Sequence, residues 1–387
     1  MIKILYVTFM MPSVKFGGGL GVLKSLEGLC SFAKVDYIGP SYNDEDIAGY
    51  DFQLEHSYYI SLNSSKFKRV KNYILHGSGS GFYDSWKKTV HSIDISKYDL
   101  VYLERTLQSF AAKWAKKANK KLLVMTHNAE ADFMRTNSSE ISSVKKFLQA
   151  VNAKTNEKKC MKYADCVAAL TANDKKRLIE LYGCREKIVI LPVCIKGFRN
   201  TEKFENGKPY ILLTGSLWFG PNEKGTLWFL EKVWRNIDEK TKDKMDVIIA
   251  GSSPTDEIRK ACSSERSVRL VENPKDMSAY FNGASVFAAP IFEGAGMKVK
   301  IAEALSCGLR VITTSHGSIG YEKIHSYMDI CKDRKSFIKA VVKQINDQDG
   351  SKMQSSIRKK FDQEYSIAVF SMKMERLVLD VCGEINR

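Results

Sequence analysis

The sequence predicts an α/β protein with two doubly wound units, each built on a parallel sheet. Short β-branched runs alternate with amphipathic stretches along the whole chain, which is the pattern of strands and crossover helices. A length of 387 residues exceeds what one ordinary hydrophobic core organises. A hydrophobic share of 44% supplies enough apolar side chains for two packed cores.

Short apolar runs in both halves are predicted as strands. Those of the first half are Ile4–Thr8, Val35–Ile38, Leu100–Leu103, Leu122–Thr126, Cys166–Leu170 and Ile188–Leu191. Those of the second half are Ile211–Thr214, Val247–Ala250, Arg269–Val271, Val286–Ala289 and Arg310–Thr313. The amphipathic stretches between them supply the crossover helices, so each half forms one unit.

A change of composition marks the boundary between the units. Residues 192–208 lose the alternation and gain Gly, Asn and charged side chains. We therefore expect a first domain over 1–191, a linker over 192–208 and a second domain over 209–365. The terminal stretch, 366–387, is helical in pattern and apolar enough to pack back on the first domain. Open sheets bind ligands at the carboxyl ends of their strands, so we expect a cleft shared by both units.

The net charge predicts an anionic partner. Lys and Arg number 60 against 44 Asp and Glu, which gives a formal net charge of +16. Residues 1–200 hold 31 Lys and Arg against 19 Asp and Glu, so +12 of the excess belongs to the first half. A phosphate-bearing ligand, an acidic lipid or a nucleic acid would each suit this charge.

Several protein classes are excluded by simple features of the chain. No run of about 18 apolar residues is present, so we expect no membrane-spanning helix. The apolar start of the chain is too short for an export signal and is typical of a first strand. Nine scattered cysteines without C-x-x-C spacing indicate buried thiols in a reduced, cytosolic compartment. Asp44-Glu45-Asp46 resembles a metal-binding D-x-D sequence but lies in a polar loop, so we expect no metal.

The strongest functional signal is residues 289–308, Ala-Pro-Ile-Phe-Glu-Gly-Ala-Gly-Met-Lys-Val-Lys-Ile-Ala-Glu-Ala-Leu-Ser-Cys-Gly. This segment predicts a strand end, a tight turn over Gly294-Ala295-Gly296 and a helix that begins near Met297. Free N–H groups and the positive end of the helix dipole make such a helix start an anion site. Lys298 and Lys300 add two cations, so a diphosphate is the expected ligand.

Glu303 lies three residues after Lys300 on the same helix face. Its carboxylate can accept hydrogen bonds from both hydroxyls of a ribose. The alternative interpretation is a simple tight turn, with solvated lysines and Glu303 paired to Lys300. The strand end, the turn, the two lysines and the glutamate together favour a nucleotide site.

His127 is a candidate in the first half. It directly follows the predicted strand Leu122–Thr126, so we expect it at the carboxyl end of the sheet, near the hydroxyls of a sugar. The open alternative is a hydrogen-bonded histidine that caps the next helix together with Asn128. Glu130 is either its orienting partner or a first-turn residue favoured by the helix dipole.

Gly17, Gly18 and Gly19 join the first predicted strand to an amphipathic helix. Three glycines allow a phosphate or an acceptor group to approach the backbone closely. Their spacing is neither the G-x-G-x-x-G fingerprint nor a G-K-[ST] phosphate loop, which argues against a dehydrogenase and a P-loop protein.

These pieces together resemble the retaining glycosyltransferases of family 4, which share the two-domain fold called GT-B. Residues 289–308 are similar to the donor-binding signature of that family. The other similar segments are Gly215–Leu230, Val247–Ser252, Pro274–Phe281 and, more weakly, Gly17–Gly19, Thr126–Glu130 and Thr171–Asp174. The resemblance covers most of the second half and implies two Rossmann-like domains that face a central cleft, with a nucleotide-sugar donor.

The resemblance also implies roles for individual residues. Glu303 would hold the donor ribose, and Glu293 would lie beside the donor sugar. The backbone of Gly294–Met297 would surround the sugar and the diphosphate, and His127 would contact the sugar. Nine residues separate the two glutamates here, where family members usually have seven.

One family position differs in the diphosphate site. Many members have an arginine directly after the glycine that aligns with Gly215, and Ser216 stands there in this chain. The resemblance therefore implies that Lys298, Lys300 or Lys224 neutralises the diphosphate instead.

Basic runs interleaved with aromatic residues concentrate in the first half. They are 66–71, 72–88 and 113–121. Such runs suit an anionic membrane surface, with about 1 kcal/mol of attraction for each basic residue near it. The alternative for any single run is a solvated lysine-rich face. Their concentration in one half favours the membrane interpretation.

The sequence as a whole therefore predicts a hexosyltransferase in the cytoplasm, peripheral on the inner face of the membrane. It would move a hexose from a nucleotide diphosphate sugar, with a UDP-sugar favoured, to a cell-surface glycan or lipid-linked oligosaccharide. The resemblance implies retention of configuration and no metal or other cofactor. A nucleic-acid partner is not expected. The alternatives are an epimerase or phosphorylase of the same fold, or a non-enzymatic basic module that binds membrane or nucleic acid.

Overall fold

The computed structural model describes residues 1–14, 17–77, 80–136, 143–198, 202–294, 296–347 and 350–383. The chain forms two compact units. Unit 1 consists of Met1–Val193 together with Ile367–Arg387, and unit 2 consists of Cys194–Ser366. Each unit has its own parallel sheet and its own hydrophobic core.

Unit 1 is built on a sheet of seven strands. Its elements in chain order are β1 (Lys3–Val7), α1 (Gly17–Cys30), β2 (Lys34–Gly39), β3 (His56–Tyr59), α2 (Lys66–His76), α3 (Tyr83–His91), β4 (Leu100–Glu104), α4 (Ser109–Lys117), β5 (Lys121–Thr126), α5 (Glu130–Thr136), α6 (Ser143–Tyr163), β6 (Cys166–Ala169), α7 (Ala172–Tyr182) and β7 (Ile188–Ile190). The strand order is β3-β2-β1-β4-β5-β6-β7.

Unit 2 is built on a sheet of six strands. Its elements are β8 (Tyr210–Ser216), α8 (Gly220–Trp228), α9 (Glu239–Lys242), β9 (Asp246–Ser252), α10 (Asp256–Ser263), β10 (Val268–Glu272), α11 (Ser278–Gly283), β11 (Val286–Ala289), α12 (Val299–Ser306), β12 (Arg310–Thr314), β13 (Met328–Cys331), α13 (Arg334–Asn346) and α14 (Gly350–Tyr365). The strand order is β10-β9-β8-β11-β12-β13. The last helix of the chain, α15 (Ile367–Cys382), belongs to unit 1.

All neighbouring strands in both sheets run parallel, as the alternation in the sequence predicts. In each sheet the chain starts near the middle, builds outward to one edge and then returns to build the other side. The strand order therefore reverses between β1 and β4 in unit 1 and between β8 and β11 in unit 2. A ligand of an open parallel sheet binds at such a reversal, beyond the carboxyl ends of the strands.

The sequence pattern does not predict two edge strands, β3 and β13. The β3 sequence, His-Ser-Tyr-Tyr, is mostly exposed, and β13 spans only Met328–Cys331. An edge strand is held by the backbone of one neighbour and need not be apolar on both faces. The hydrophobic pattern that identifies central strands is therefore weak at these positions.

The region between the units has more structure than an open linker. The residues of 192–208 that the structure describes belong to unit 2 from Cys194 onward. Ile195 donates its N–H to Tyr365 O at 3.1 Å, and Phe204 donates its N–H to Ala279 O at 2.9 Å. These contacts pack the segment onto the second sheet unit.

Helix α15 packs on α1 within unit 1. Its Phe370 ring lies against Gly28, where even a methyl group would collide with the ring. The ammonium of Lys24 lies 5.7 Å from the centroid of the same ring. The apolar pattern of 366–387 is explained by this contact.

No helix among the described residues combines the length and apolarity needed to cross a bilayer. The nine cysteines are all free, and six of them are buried. Burial raises the pKa of the thiols of Cys166 and Cys331 to about 12, so these groups stay neutral. The expectation of buried, unpaired thiols agrees with this arrangement.

Candidate functional site

The predicted donor residues gather at the strand-order reversal of unit 2. Strands β8 and β11 lie side by side, with Val286 opposite Ile211. Gly215 and Ser216 end β8, and the glycine turn follows β11. The topology thus brings together two segments that lie about 80 residues apart in the sequence.

The glycine turn has backbone angles that favour glycine. Gly294 has a φ of +102° and Gly296 a φ of +68°, while Ala295 lies outside the described residues. His316, from the loop after β12, donates from Nε2 to the carbonyl of Gly294 at 2.6 Å. This histidine was missed in the sequence because its partner is a backbone atom 22 residues away.

Helix α12 begins at Val299, two residues later than predicted, and Lys298 is its N-cap residue. The Lys298 ammonium donates to the carbonyls of Gly294 at 3.1 Å and Gly296 at 2.7 Å. Met297 is buried and packs against Gly320. Lys298 therefore holds the turn in shape, and the helix start itself provides the positive potential for an anion.

Lys300 reaches back to β8 and α8. Its ammonium donates to the carbonyl of Thr214 at 2.9 Å and to Oδ1 of Asn222 at 2.8 Å. The pKa of Lys300 is lowered to about 8, chiefly by burial, while the Glu303 carboxylate raises it and the Lys298 charge lowers it. Near neutral pH most of this group is therefore still the charged ammonium.

Glu303 lies one turn along α12, with its side chain partly buried. Burial raises the pKa of its carboxyl to about 7, although the nearby Lys300 ammonium acts in the opposite direction. The two groups therefore both titrate near physiological pH. Perturbed groups of this kind cluster at ligand sites, because a site desolvates its charges before the ligand arrives.

Glu293 and Lys224 form an ion pair across the mouth of this region, with 3.0 Å between Nζ and Oε1. Their side chains are 48% and 72% exposed, so the pair contributes little to stability. Both groups are accessible to a ligand.

Asn222 links this surface to the end of β8. Its amide donates to the carbonyl of Ser216 at 3.0 Å, and its side chain leaves no room for a Cβ at Gly215. Asn222 was missed in the sequence, and it joins Ser216 and Lys300 in one hydrogen-bonded network.

In unit 1, the three predicted glycines form the first turn of α1 and are not a connecting loop. Gly19 packs directly on the backbone of Ser13, whereas a Cβ at Gly17 would meet open space. Gly18 lies between them. The backbone N–H groups of this first turn follow β1, at the strand-order reversal of the first sheet.

His127 follows β5, as predicted, and is 14% exposed. Its Nε2 pairs with the carboxylate of Glu104, the fully buried last residue of β4. The other oxygen of Glu104 accepts a hydrogen bond from the Tyr6 hydroxyl at 2.7 Å. Gly21 of α1 packs on the imidazole. This Tyr-Glu-His series fixes the orientation of the ring.

Of the two interpretations of Glu130, the structure contradicts the one in which it orients His127 and agrees with a residue in the first turn of α5. Glu130 is fully buried and forms a bidentate ion pair with Arg105, at 2.7 and 2.8 Å from Nη2. Arg105 has a positive φ of +76°, a conformation that a non-glycine residue adopts only at a cost. This backbone turn directs Glu104 to His127 and Arg105 to Glu130.

A second buried carboxyl lies behind this pair. Glu157 of α6 accepts hydrogen bonds from Thr106 at 2.9 Å, Tyr182 at 2.8 Å and the Glu130 N–H at 3.2 Å. Burial raises the pKa of Glu157 to about 7. The sequence motif around Thr126–Glu130 therefore lies on a buried polar network.

The D-x-D sequence of the first half forms a local turn. Asp46 is buried and exchanges hydrogen bonds with Asn43, from the Asn43 N–H at 3.2 Å and to the Asn43 side chain at 3.0 Å. Across the described part of the chain, no group of three or more His, Cys, Asp or Glu side chains is placed to hold a metal ion.

Residues 208–347 match the protein family described as Glycosyl transferases group 1. This range contains β8, β11, the glycine turn and α12. The matched range lies within unit 2. The matched range contains the donor residues that the resemblance implied in the second half, from Gly215 to Glu303, whereas His127 lies outside it in unit 1.

Comparison with solved structures confirms the predicted GT-B fold class. HepE from Anabaena, solved in complex with UDP and glucose, superposes with a TM-score of 0.65 at 13% identity, over 98% of this chain and 100% of that chain. WaaG, described as a glycosyltransferase involved in lipopolysaccharide biosynthesis, superposes with a TM-score of 0.66 at 11% identity, over 98% and 99% of the two chains. At such identities the similarity shows the fold.

A protein of Klebsiella pneumoniae is similar to this chain in sequence. It is described as an uncharacterized 44.6 kDa protein in the cps region and is 29% identical over 149 residues. The match spans 36% of this chain and 38% of that protein, so it covers well under half of each.

Proposed function

We propose that this protein is a retaining family-4 hexosyltransferase that uses a nucleotide diphosphate sugar, with a UDP-sugar as the favoured donor. The observation that carries the proposal is the strand-order reversal of unit 2, where the glycine turn, the start of α12, Lys300 and Glu303 come together. A nucleotide diphosphate needs a site for its phosphates and hydrogen-bond acceptors for its ribose hydroxyls. This arrangement offers both.

The main chemical task is stabilisation of the departing nucleotide diphosphate. The N-terminus of α12 supplies oriented N–H groups, and Lys300 supplies a positive charge that is already desolvated. Glu303 accepts the ribose hydroxyls, and the exposed Glu293 lies beside the sugar. Retention follows from attack on the same face as the leaving group, assisted by its phosphate, so no protein nucleophile is assigned.

The acceptor in this proposal is a cell-surface glycan or a lipid-linked oligosaccharide. The description of WaaG and the cps region of the Klebsiella relative support that direction. The net charge of +12 over residues 1–200 suits an anionic membrane surface or an acidic acceptor. We place the protein in the cytoplasm, peripheral on the inner face of the membrane.

A thermal-shift panel of UDP-, GDP-, ADP- and CMP-sugars tests the donor proposal. A donor at about 100 times its Kd stabilises the protein by about 2.7 kcal/mol, which raises the Tm by several degrees. The expected result is a shift with UDP-sugars and little with the others. No shift with any nucleotide sugar would refute the transferase proposal.

Glu303→Ala examines the ribose contact directly. The variant should weaken donor binding about tenfold or more, because two hydrogen bonds to a carboxylate are lost. Glu257→Ala, on the exposed first turn of α10, is the matched control and should bind normally. Equal donor affinity in the two variants would remove the ribose role of Glu303.

A further inference from the structure

Helix α2 exposes its apolar stripe and buries a polar residue. Phe67, Val70 and Ile74 follow the helical spacing of a core-facing stripe, yet their exposed fractions are 80%, 53% and 73%. The buried residue of the helix is Asn72, which donates to the Asp84 carboxylate at 3.1 Å. A helix with this orientation presents its hydrophobic side outward, where an apolar partner would be stabilising.

A groove of about 550 Å³ lies between α2, α4 and α6 of unit 1. Its apolar walls come from Ile74 and Leu75 of α2 and from Leu148 and Val151 of α6. These side chains are 73%, 60%, 58% and 47% exposed, so the apolar walls of the groove are open to solvent. Gly77, with a φ of +85°, ends α2 where its backbone meets the Asn156 side chain.

The groove changes from apolar to basic along α6. Leu148, Asn152, Asn156 and Lys159 line it in turn. Lys159 follows Leu148 by about three helical turns, so it lies on the same helix face about 16 Å further along. A ligand that fits this gradient has an apolar chain at one end and an anion at the other.

Two lysines provide the basic end. Ser109 of α4 donates to Asn156 of α6 at 2.6 Å, and Lys113 and Lys159 each lie within about one helical turn of that contact. Both lysines line the groove and are exposed. Neither ammonium has a hydrogen-bond or ion-pair partner within the described ranges of the chain.

We propose that this groove binds the lipid phosphate of the acceptor, with the chain between α2 and α6 and the phosphate at Lys113 and Lys159. The inference rests on the proposed transfer to a lipid-linked acceptor. The groove would hold the acceptor by its anchor, while the sugar-bearing part stays free to react. Each methylene buried along the apolar walls contributes to affinity, and the two ammonium groups select a phosphate over a neutral head.

Titration calorimetry on the full chain with monomeric dodecyl phosphate tests the groove. Inorganic phosphate and dodecyl glucoside are the probes that lack the chain and the charge, respectively. Dodecyl phosphate should bind with one site and at least about tenfold more tightly than either. Equal binding of dodecyl glucoside, or no binding of dodecyl phosphate, would overturn the proposal.

Matched variants locate the site. Lys113→Ser and Lys159→Ser should each weaken dodecyl phosphate binding about tenfold. Lys117→Ser is the control and should not weaken it, because Lys117 is an exposed lysine of the same helix, α4, that does not line the groove. Ile74→Asp and Val151→Asp should weaken it comparably, with Met372→Asp, 62% exposed on α15, as control. Unchanged affinity in the groove variants would place the ligand elsewhere and overturn the assignment.

Two further measurements distinguish binding of a lipid phosphate from docking on a bilayer, and failure of the groove proposal from failure of the proposed function. If groove variants lose binding to phosphatidylglycerol vesicles while the native protein ignores monomeric dodecyl phosphate, the surface docks on a bilayer and the acceptor assignment is overturned. UDP-sugar thermal shifts on the same variants should be unchanged, because none of the substituted residues belongs to the proposed donor site. Donor stabilisation without dodecyl phosphate binding would refute only the groove, and absence of donor stabilisation would refute the proposed function.

Discussion

Binding of a nucleotide sugar should exchange protons with the solvent, with opposite signs at pH 7 and pH 8. The reason is that Lys300 and Glu303 have pKa values near about 8 and about 7 before the ligand binds. A diphosphate near Lys300 favours the ammonium, and ribose hydroxyls that donate to Glu303 favour the carboxylate. The first effect takes up protons and the second releases them.

The magnitudes follow from the two titrations. At pH 7 Glu303 is about half ionised and releases up to about 0.5 proton, while Lys300 is about 90% protonated and takes up about 0.1. At pH 8 Lys300 is about half protonated and takes up to about 0.5 proton, while Glu303 releases about 0.1. The net exchange is therefore a release of about 0.4 proton at pH 7 and an uptake of about 0.4 at pH 8.

Calorimetry in buffers of different ionisation enthalpy measures this exchange directly. The diphosphate diester of a nucleotide sugar does not titrate in this range, so the ligand adds no protons of its own. Glu303→Gln should abolish the release at pH 7 and preserve the uptake at pH 8. A proton exchange of the same sign at both pH values in the native protein would refute the assignment of these two residues to the ligand.

Three further predictions concern single residues. Glu104→Gln should lower kcat about 10- to 100-fold with little change in donor Kd, because His127 loses the carboxyl group that orients its ring. An unchanged kcat in steady-state kinetics would contradict this positioning role. Burial raises the pKa of Glu157 to about 7, so the native state holds the extra proton, and stability should fall by on the order of 3 kcal/mol as pH rises from about 4.5 to about 7. Thermal unfolding of Glu157→Gln should therefore vary less over this range than that of the native protein, and a parallel profile would count against the buried carboxyl. Gly296→Ala should cost about 1 kcal/mol at a φ of +68° and weaken donor binding, whereas Gly220→Ala, at a helix start with open space, should leave unfolding and binding unchanged.

Much of the architecture is predictable because central parallel strands are buried on both faces. The strands that the sequence missed, β3 and β13, are edge strands with mixed polarity. The start of α12 was placed two residues early because Met297, an apolar residue typical of a helix, packs on Gly320 before the helix begins. Such differences come from tertiary contacts that local propensity does not encode.

The sequence predicts where the site residues lie along the fold better than it predicts which side chains they contact. Glu130 stands three residues after His127 and was a reasonable partner for it, but Glu104, on the neighbouring strand, has that place. The sequence also gave no reason to connect Lys300 with Asn222, which lies 78 residues earlier. Adjacent strand ends meet in space whatever their separation along the chain, so only the sheet order reveals these pairs.

The amino-acid sequence by itself determined two parallel-sheet units, the glycine turn before α12 and the concentration of positive charge in the first half. These features depend on periodicity, backbone preference and composition, which are local properties of the chain. Only the tertiary structure decided which carboxylate contacts His127 and that α2 exposes its apolar stripe. It also decided that burial shifts the pKa values of Lys300 and Glu303 toward the physiological range. Desolvation and pairing depend on the atoms that surround a group, and those atoms come from distant parts of the sequence.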